Sequence, residues 1–343
     1  MTRARREQID LSATPWYHCV SRCVRQAWLC GVDPVTGRDY SHRKAWIEQR
    51  IRQLAGVFAI DVAAYAVMDN HYHVVLRVNR EVAEGWSQEE VLSRWSVLFS
   101  LPGFIADARA RQAAGEPVPE ALLKTVAEAI EVYRKRLYDI SWFMRVLNES
   151  IARMANKEDG VKGRFWQGRF KSQAILDEAA LVAVMAYVDM NPLRAGMVER
   201  VEQGEHTSLK ARLGDRSGRQ PARPLRCDIE SDEGGKMPAV CEFLKDAPQA
   251  ALLPFADQHP DSPIPIAFID YLELVDYLSR AIHPRKRGHT PEDVPHIFDR
   301  LGLKPEMARD FHHWSDRFGA EIGRTRFHHK GARLNRRLFA VAA

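Results

Sequence analysis

The stretch Asn70-His71-Tyr72-His73-Val74-Val75-Leu76 sets two histidines two residues apart inside an apolar, valine-rich run. Such a run reads as a β-strand. Strand side chains alternate between faces, so His71 and His73 point one way and Tyr72 the other. One face of a rigid strand then carries two imidazoles, which is half of a metal site. The same spacing also suits a structural pair, each ring hydrogen-bonded in a half-buried sheet. The choice between the two depends on whether the rest of the chain supplies further ligands and a reacting group.

The flanking pattern gives the strand its setting. Residues 16–24 read as a first strand and residues 41–58 as a helix, with Trp46, Ile47, Ile51, Leu54, Ala55 and Phe58 at three- and four-residue spacing and Ser41 as the N-cap. Residues 60–68 form a second strand, Asp69-Asn70 punctuates it, and residues 71–78 form the third. The order strand, helix, strand, strand is the first half of a ferredoxin-like βαββαβ fold. Residues 81–156 read as mostly helical. Stretches 87–99 and 119–137 are amphipathic, and residues 140–155 carry an apolar face of Trp142, Phe143, Val146, Leu147 and Ile151. A block of glycines, aromatics and cations over 160–173 follows, and Ala174-Ile175-Leu176 extends it as a fourth strand. Asp177 caps a helix over 178–188, which Pro192 and Gly196 terminate. The expected class is α+β: a ferredoxin-like domain with an antiparallel sheet, a helical insertion and an α-helical C-terminal extension.

Composition bounds the rest. Among 343 residues, 45% are hydrophobic and 28% charged, enough for a sizeable core in one large domain or two. A net charge of +5 mildly favours a polyanionic partner. The cysteines (Cys19, Cys23, Cys30, Cys227 and Cys241) are odd in number and lack finger-like zinc spacing, so they suit reduced thiols. No apolar run reaches the roughly 18 to 20 residues that span a bilayer. The basic start, Met1 to Arg6, has no apolar segment behind it, so no secretory signal is expected. A cytoplasmic location is the expectation. Residues 1–205 read as one unit with its insertion at about 81–156, residues 206–265 as a loop-rich linker, and residues 266–343 as a helical module with a basic tail. Within that module, helices are expected over 266–282, 291–301 and 305–319. The tail over 323–337 holds Arg324, Arg326, Lys330, Arg333, Arg336 and Arg337 with no acidic residue, which fits a solvated tail as well as a nucleic-acid contact.

The helix over 178–188 brings a second pair of interest. Tyr187 and Asn191 are four residues apart and share a helix face. A phenol with its ordinary pKa of about 10 is a weak nucleophile and needs an activated target or a base. A divalent ion held by two histidines and one oxygen ligand polarises a phosphodiester beside such a tyrosine, and the Asn191 carboxamide offers that oxygen. Taken alone, Tyr187 fits a packing tyrosine and Asn191-Pro192 a helix stop.

Taken together, His71-Tyr72-His73, the block Gly163-Arg164-Phe165-Trp166-Gln167-Gly168-Arg169-Phe170-Lys171-Ser172, and Tyr187-Val188-Asp189-Met190-Asn191-Pro192-Leu193-Arg194-Ala195-Gly196 resemble the single-tyrosine HUH transposases, and among these the REP-associated tyrosine transposases. The resemblance covers roughly residues 16–204. It implies a ferredoxin-like catalytic domain acting on single-stranded DNA, often beside a hairpin or palindromic repeat. It implies that His71, His73 and Asn191 bind Mg²⁺ or Mn²⁺. Tyr187 would attack the scissile phosphate, become a 5′-phosphotyrosine and leave a free 3′-OH. Rejoining by a new 3′-OH makes the reaction strand transfer without nucleotide hydrolysis, by a monomer or a homodimer.

The basic block suits DNA on its own terms. Arg164, Arg169 and Lys171, with Lys162, are candidate phosphate contacts, and Trp166, with Phe165 and Phe170, is a candidate stacking platform. Alternating aromatics also suit a core, so a split is expected, with part of the block buried and the arginines outward. Arg194 joins the DNA-contact candidates. Two features depart from the resemblance: the length of residues 81–139 and everything after about residue 204. A non-catalytic DNA-binding protein on the same fold is the competing reading, and a replication-initiation or relaxase-type HUH endonuclease a third. Four intact site residues favour the transposase reading.

Overall fold

The structure is a computed structural model and describes residues 9–24, 27–216, 247, 249–282 and 286–301. Four strands make one antiparallel sheet: β1 (Trp16–Arg22), β2 (Ile60–Val67), β3 (His71–Val78) and β4 (Lys171–Ile175), in the spatial order β2-β3-β1-β4. The register sets Val20 opposite His73, Arg22 opposite His71, and His18 between Val75 and Gln173. Because the side-chain period is two, one face collects His18, Val20, Arg22, His71, His73, Val75 and Gln173. The opposite face collects Tyr17, Cys19, Ser21, Tyr72, Val74 and Leu76, as the alternation around His71 and His73 predicts.

The Tyr72 face is covered by α1 (His42–Val57) and α6 (Ile140–Glu158), with α2 (Arg80–Gly85), α3 (Gln88–Leu98), α4 (Gly103–Ala113) and α5 (Glu120–Arg136) packed alongside. The expected α6 stripe is buried: Phe143, Val146, Leu147 and Ile151 lie in this core, with Trp142 at its margin. The inserted helices share that core. Trp95 of α3 stacks on Tyr133 of α5 with centroids 4.5 Å apart, and the buried Arg134 donates to the Ala83 and Trp86 carbonyls. Ser41 differs from expectation. Its backbone is already helical, with φ −60° and ψ −29°, and its side chain caps nothing; the Ser41 N–H donates instead to Asp39 Oδ1 at 2.8 Å. Asp177 does cap its helix, accepting from Ala180 N–H at 2.7 Å.

The histidine face is covered by α7 (Glu178–Asp189), followed by α8 (Asn191–Arg194), α9 (Ser208–Arg216), α10 (Phe268–Arg280) and α11 (Ile297–Leu301). Helix α7 is apolar around most of its circumference because it is sandwiched between the sheet and α10. A single buried carboxylate ties the layer together. Asp189 accepts from Ser208 Oγ at 2.6 Å, the Leu209 N–H at 2.9 Å and Tyr271 Oη at 2.6 Å, joining α7, α9 and α10. The stretch expected to be loop-rich therefore contains a helix, α9, held on the sheet by Arg212, whose guanidinium donates to the Ala63 carbonyl. Helix α10 matches the helix expected over 266–282, and its apolar side joins the core beneath α7. The helix expected over 305–319, the basic tail over 323–337, Cys227 and Cys241 lie outside the described residues. Cys19, Cys23 and Cys30 are buried and form no disulfide among the described residues. Among the described residues no helix is long and apolar enough to cross a membrane.

Candidate active site

A chain of hydrogen bonds runs across the strands on the histidine face. Gln173 Oε1 lies 3.2 Å from His18 Nδ1, and His18 Nε2 lies 2.8 Å from His73 Nδ1. A carboxamide oxygen can only accept, so His18 Nδ1 carries its proton and His18 Nε2 accepts from His73 Nδ1. The proton positions thereby leave His73 Nε2 as a bare lone pair. That atom is buried and has no hydrogen-bond partner. On the next outward position, His71 Nδ1 donates to Asn70 Oδ1 at 2.6 Å, so His71 Nε2 is a second lone pair. The two rings stand 5.0 Å apart, edge to face.

Burial keeps all three rings neutral. It pulls His18 down to about 4. Burial, together with the charges of Arg22 and Lys286, pulls His71 to about 4. His73, the most enclosed, is pushed well below the ordinary histidine range, first by burial and then by its histidine and cationic neighbours. A neutral imidazole with one nitrogen bonded and the other bare is the form that binds a metal.

Helix α7 delivers Tyr187 to this face. Its ring stands edge-on to His73 at 5.8 Å and to His18 at 6.2 Å between centroids. Burial raises the Tyr187 pKa above that of an ordinary phenol, while Arg22 and Asn191 pull the other way, so the resting hydroxyl is protonated. One turn on, Asn191 is buried, and its Nδ2 donates to the Tyr187 and Val188 carbonyls at 3.0 and 3.4 Å. That leaves Oδ1 as its accepting or ligating atom. Gly196, at φ +70°, closes α8 in the left-handed conformation the Asn-Pro-Leu-Arg-Ala-Gly motif anticipates. His71, His73, Tyr187 and Asn191 all line one pocket, with Arg22, Arg194, Lys286 and Arg287 around it.

Among the described residues no three His, Cys, Asp or Glu side chains gather to hold a metal ion. Asn191, which lines the same pocket as the two imidazoles, brings a carboxamide oxygen of the kind a third donor would need. The buried, unpartnered His73 Nε2 fits a metal ligand's role, since a buried polar atom without a partner is costly and uncommon.

The expected DNA block divides. Arg164, Arg169 and Lys171 are exposed. Trp166, taken as a stacking platform, is not on the surface: it is 8% exposed, its Nε1 donates to the Asn148 carbonyl at 2.8 Å, and its ring meets Tyr72 edge-on. Phe165 and Phe170 are buried with it. Arg194 reaches the pocket wall, but its guanidinium is engaged by main-chain carbonyls of Leu278, Ala281 and Gly288. His18, Gln173, Arg22, Lys286 and Arg287 were not anticipated as site residues. For His18 and Arg22 a signal existed, because both share the period-two face of β1.

No family model matches the chain, and no curated protein does. Among solved structures, a REP-associated tyrosine transposase bound to a REP hairpin aligns with a TM-score of 0.35 and 15% identity, over 64% of this chain and 89% of that chain.

Proposed function

We propose that the protein is a metal-dependent strand transferase acting on single-stranded DNA at hairpin or palindromic repeats, through a 5′-phosphotyrosine on Tyr187. The sheet order β2-β3-β1-β4, with crossover helices after β1 and before β4, supports reading the core as the ferredoxin-like βαββαβ domain of the HUH transposases that the sequence motifs resemble. The observation that carries the reading is the lone pair on His73 Nε2, buried, unpartnered and fixed in its tautomer by His18 and Gln173, beside Tyr187.

His71 Nε2, His73 Nε2 and Asn191 Oδ1 are the atoms that would hold Mg²⁺ or Mn²⁺. Two nitrogen donors favour Mn²⁺, since Mg²⁺ prefers an all-oxygen octahedron. When bound, the ion supplies Lewis acidity toward the non-bridging oxygens of a phosphodiester. The chain's own residues do the rest. His18 and Gln173 hold the His73 ring in one orientation. Helix α7 holds the phenol of Tyr187 at the pocket wall. The Tyr187 oxygen forms a bond to phosphorus as the bond from phosphorus to the 3′-oxygen breaks, and the phenol's proton ends on that 3′-oxygen. The phosphodiester bond is conserved as a tyrosyl ester, so a second 3′-OH reverses the step and joins a new strand.

Full-length protein with Mn²⁺ and a hairpin oligonucleotide carrying a single-stranded flank is expected to yield a covalent protein–DNA adduct on a denaturing gel. Tyr187→Phe should yield none. An adduct of equal amount with Tyr187→Phe would contradict the assignment, and retention of DNA without any adduct would favour the non-catalytic binding protein.

A further inference from the structure

Arg194 organises a segment that lies more than eighty residues beyond it in the chain. Its guanidinium donates to the Leu278 and Ala281 carbonyls at 2.6 Å and to the Gly288 carbonyl at 3.4 Å. The Arg287 N–H donates back to the Arg194 carbonyl at 3.3 Å. Gly288 approaches α8 so closely that a Cβ there would sit 1.8 Å from the Leu193 carbonyl oxygen, which no side chain tolerates. Beyond it, Thr290 is fully buried and its hydroxyl bonds Ser279 Oγ at 2.9 Å. Residues 286–290 are therefore pinned to the end of α8, directly after the Tyr187 helix.

What this pinning exposes is two cations. Lys286 and Arg287 are solvent-exposed and line the same pocket as His71, His73 and Tyr187, with the exposed Arg22 of β1 also on its wall. No ion pair among the described residues engages any of the three. Lys286 and Arg22 are near enough to the paired histidines for their charges to act on both rings. Exposed lysines and arginines on a solvated face are commonplace, but here a glycine with no alternative residue and three carbonyl bonds hold the backbone that presents them.

We propose that Lys286 and Arg287, together with Arg22, form a phosphate-binding site for the DNA strand beside the Tyr187 hydroxyl, supplied by the C-terminal extension. The proposal rests on the strand-transfer reading for the identity of the polyanion. Its chemistry is charge-assisted hydrogen bonding, with a forked guanidinium on each of Arg22 and Arg287 and a point charge on Lys286. Such groups hold the backbone of a strand without reading its bases. They also place positive charge where the attacked phosphate gathers negative charge. The catalytic unit and the extension then act as one binding surface.

The test separates binding from chemistry. In the full-length Tyr187→Phe protein, with chelator present, poly-dT affinity is measured by fluorescence across a salt series. Replacing Lys286 and Arg287 together by alanine should lower the slope of log affinity against log salt by about 1.4, since each lost contact on a single strand removes about 0.7. The charge-keeping pair Lys286→Arg and Arg287→Lys should leave the slope as it was, which shows that charge and not fold is being read. An unchanged slope in the alanine variant would overturn the proposal. The adduct formed by the Tyr187 protein with Mn²⁺ is scored separately. A fallen slope with no adduct keeps the phosphate site and removes strand transfer, whereas an adduct with an unchanged slope does the reverse.

Discussion

On one face of the sheet Tyr17, Cys19, Tyr65, Tyr72, Val74 and Leu76 meet α1 and α6 and are dry throughout. On the other, His18, His71, His73 and Gln173 share the surface with Ala64, Ala66 and Val75 beneath α7. Both faces contain polar atoms, and they handle them differently. Tyr72 Oη donates to Asn148 Oδ1 at 2.8 Å, and Asn148 Nδ2 donates to Ser21 Oγ at 3.0 Å, so that network closes on itself. The histidine network stays open, ending on His73 Nε2 with nothing to receive it. A closed buried network is what stability asks for; an open one at a pocket wall is what a ligand site asks for.

Substitutions on the two faces should separate function from stability. The largest effect expected is from His73→Ala, which should abolish strand cleavage on a denaturing gel while the melting temperature stays near that of the parent; cleavage at the parental rate in chelator would erase the distinction between the faces. Phe143→Ala, on the dry side, removes a ring packed against Phe58 at 5.4 Å and should cost about 3–5 kcal/mol in denaturant unfolding, with Mn²⁺ affinity measured on the folded fraction unchanged. Next comes His18→Ala, which deletes the partner that orients His73. Calorimetry should read a loss of about 10–100-fold in Mn²⁺ affinity, as for other groups that support a metal ligand. Equal affinity would mean that the Gln173–His18–His73 chain is only structural. The smallest effect lies at the basic block. Arg164→Ala and Arg169→Ala should each lower the salt slope of single-strand binding by about 0.7 without moving the melting temperature. Trp166→Ala should do the opposite, because its indole is core.

The two pairs that line the pocket were legible in the sequence because each sits in a regular element close to its partner. His71 and His73 obey a period of two, Tyr187 and Asn191 a spacing of four, and the motif endings at Pro192 and Gly196 punctuate correctly. Gln173 was hidden for a different reason. It lies 155 residues from His18, and only the β1–β4 register brings the two together. Trp166 misled because a block of alternating aromatics and cations resembles a strand, whereas β4 starts only at Lys171 and the indole turns inward to Asn148. Helix α9 was obscured by the polar stretch that follows it. Its start depends on Asp189, whose carboxylate receives the Leu209 N–H from another part of the chain. Lys286 and Arg287 had no local signal at all, since their place is set by Gly288 against Leu193.

The proposed reaction links the Tyr187 oxygen to DNA at the open end of the histidine network. It is tested most directly by incubating the full-length protein with Mn²⁺ and a hairpin oligonucleotide, digesting both components and mapping the residual nucleotide by mass spectrometry. The expected result is a 5′-nucleotide mass on the peptide that contains Tyr187, fragmenting at that residue. The same mass on any other side chain, or a Tyr187 peptide that stays unmodified while the DNA is cut, would contradict it.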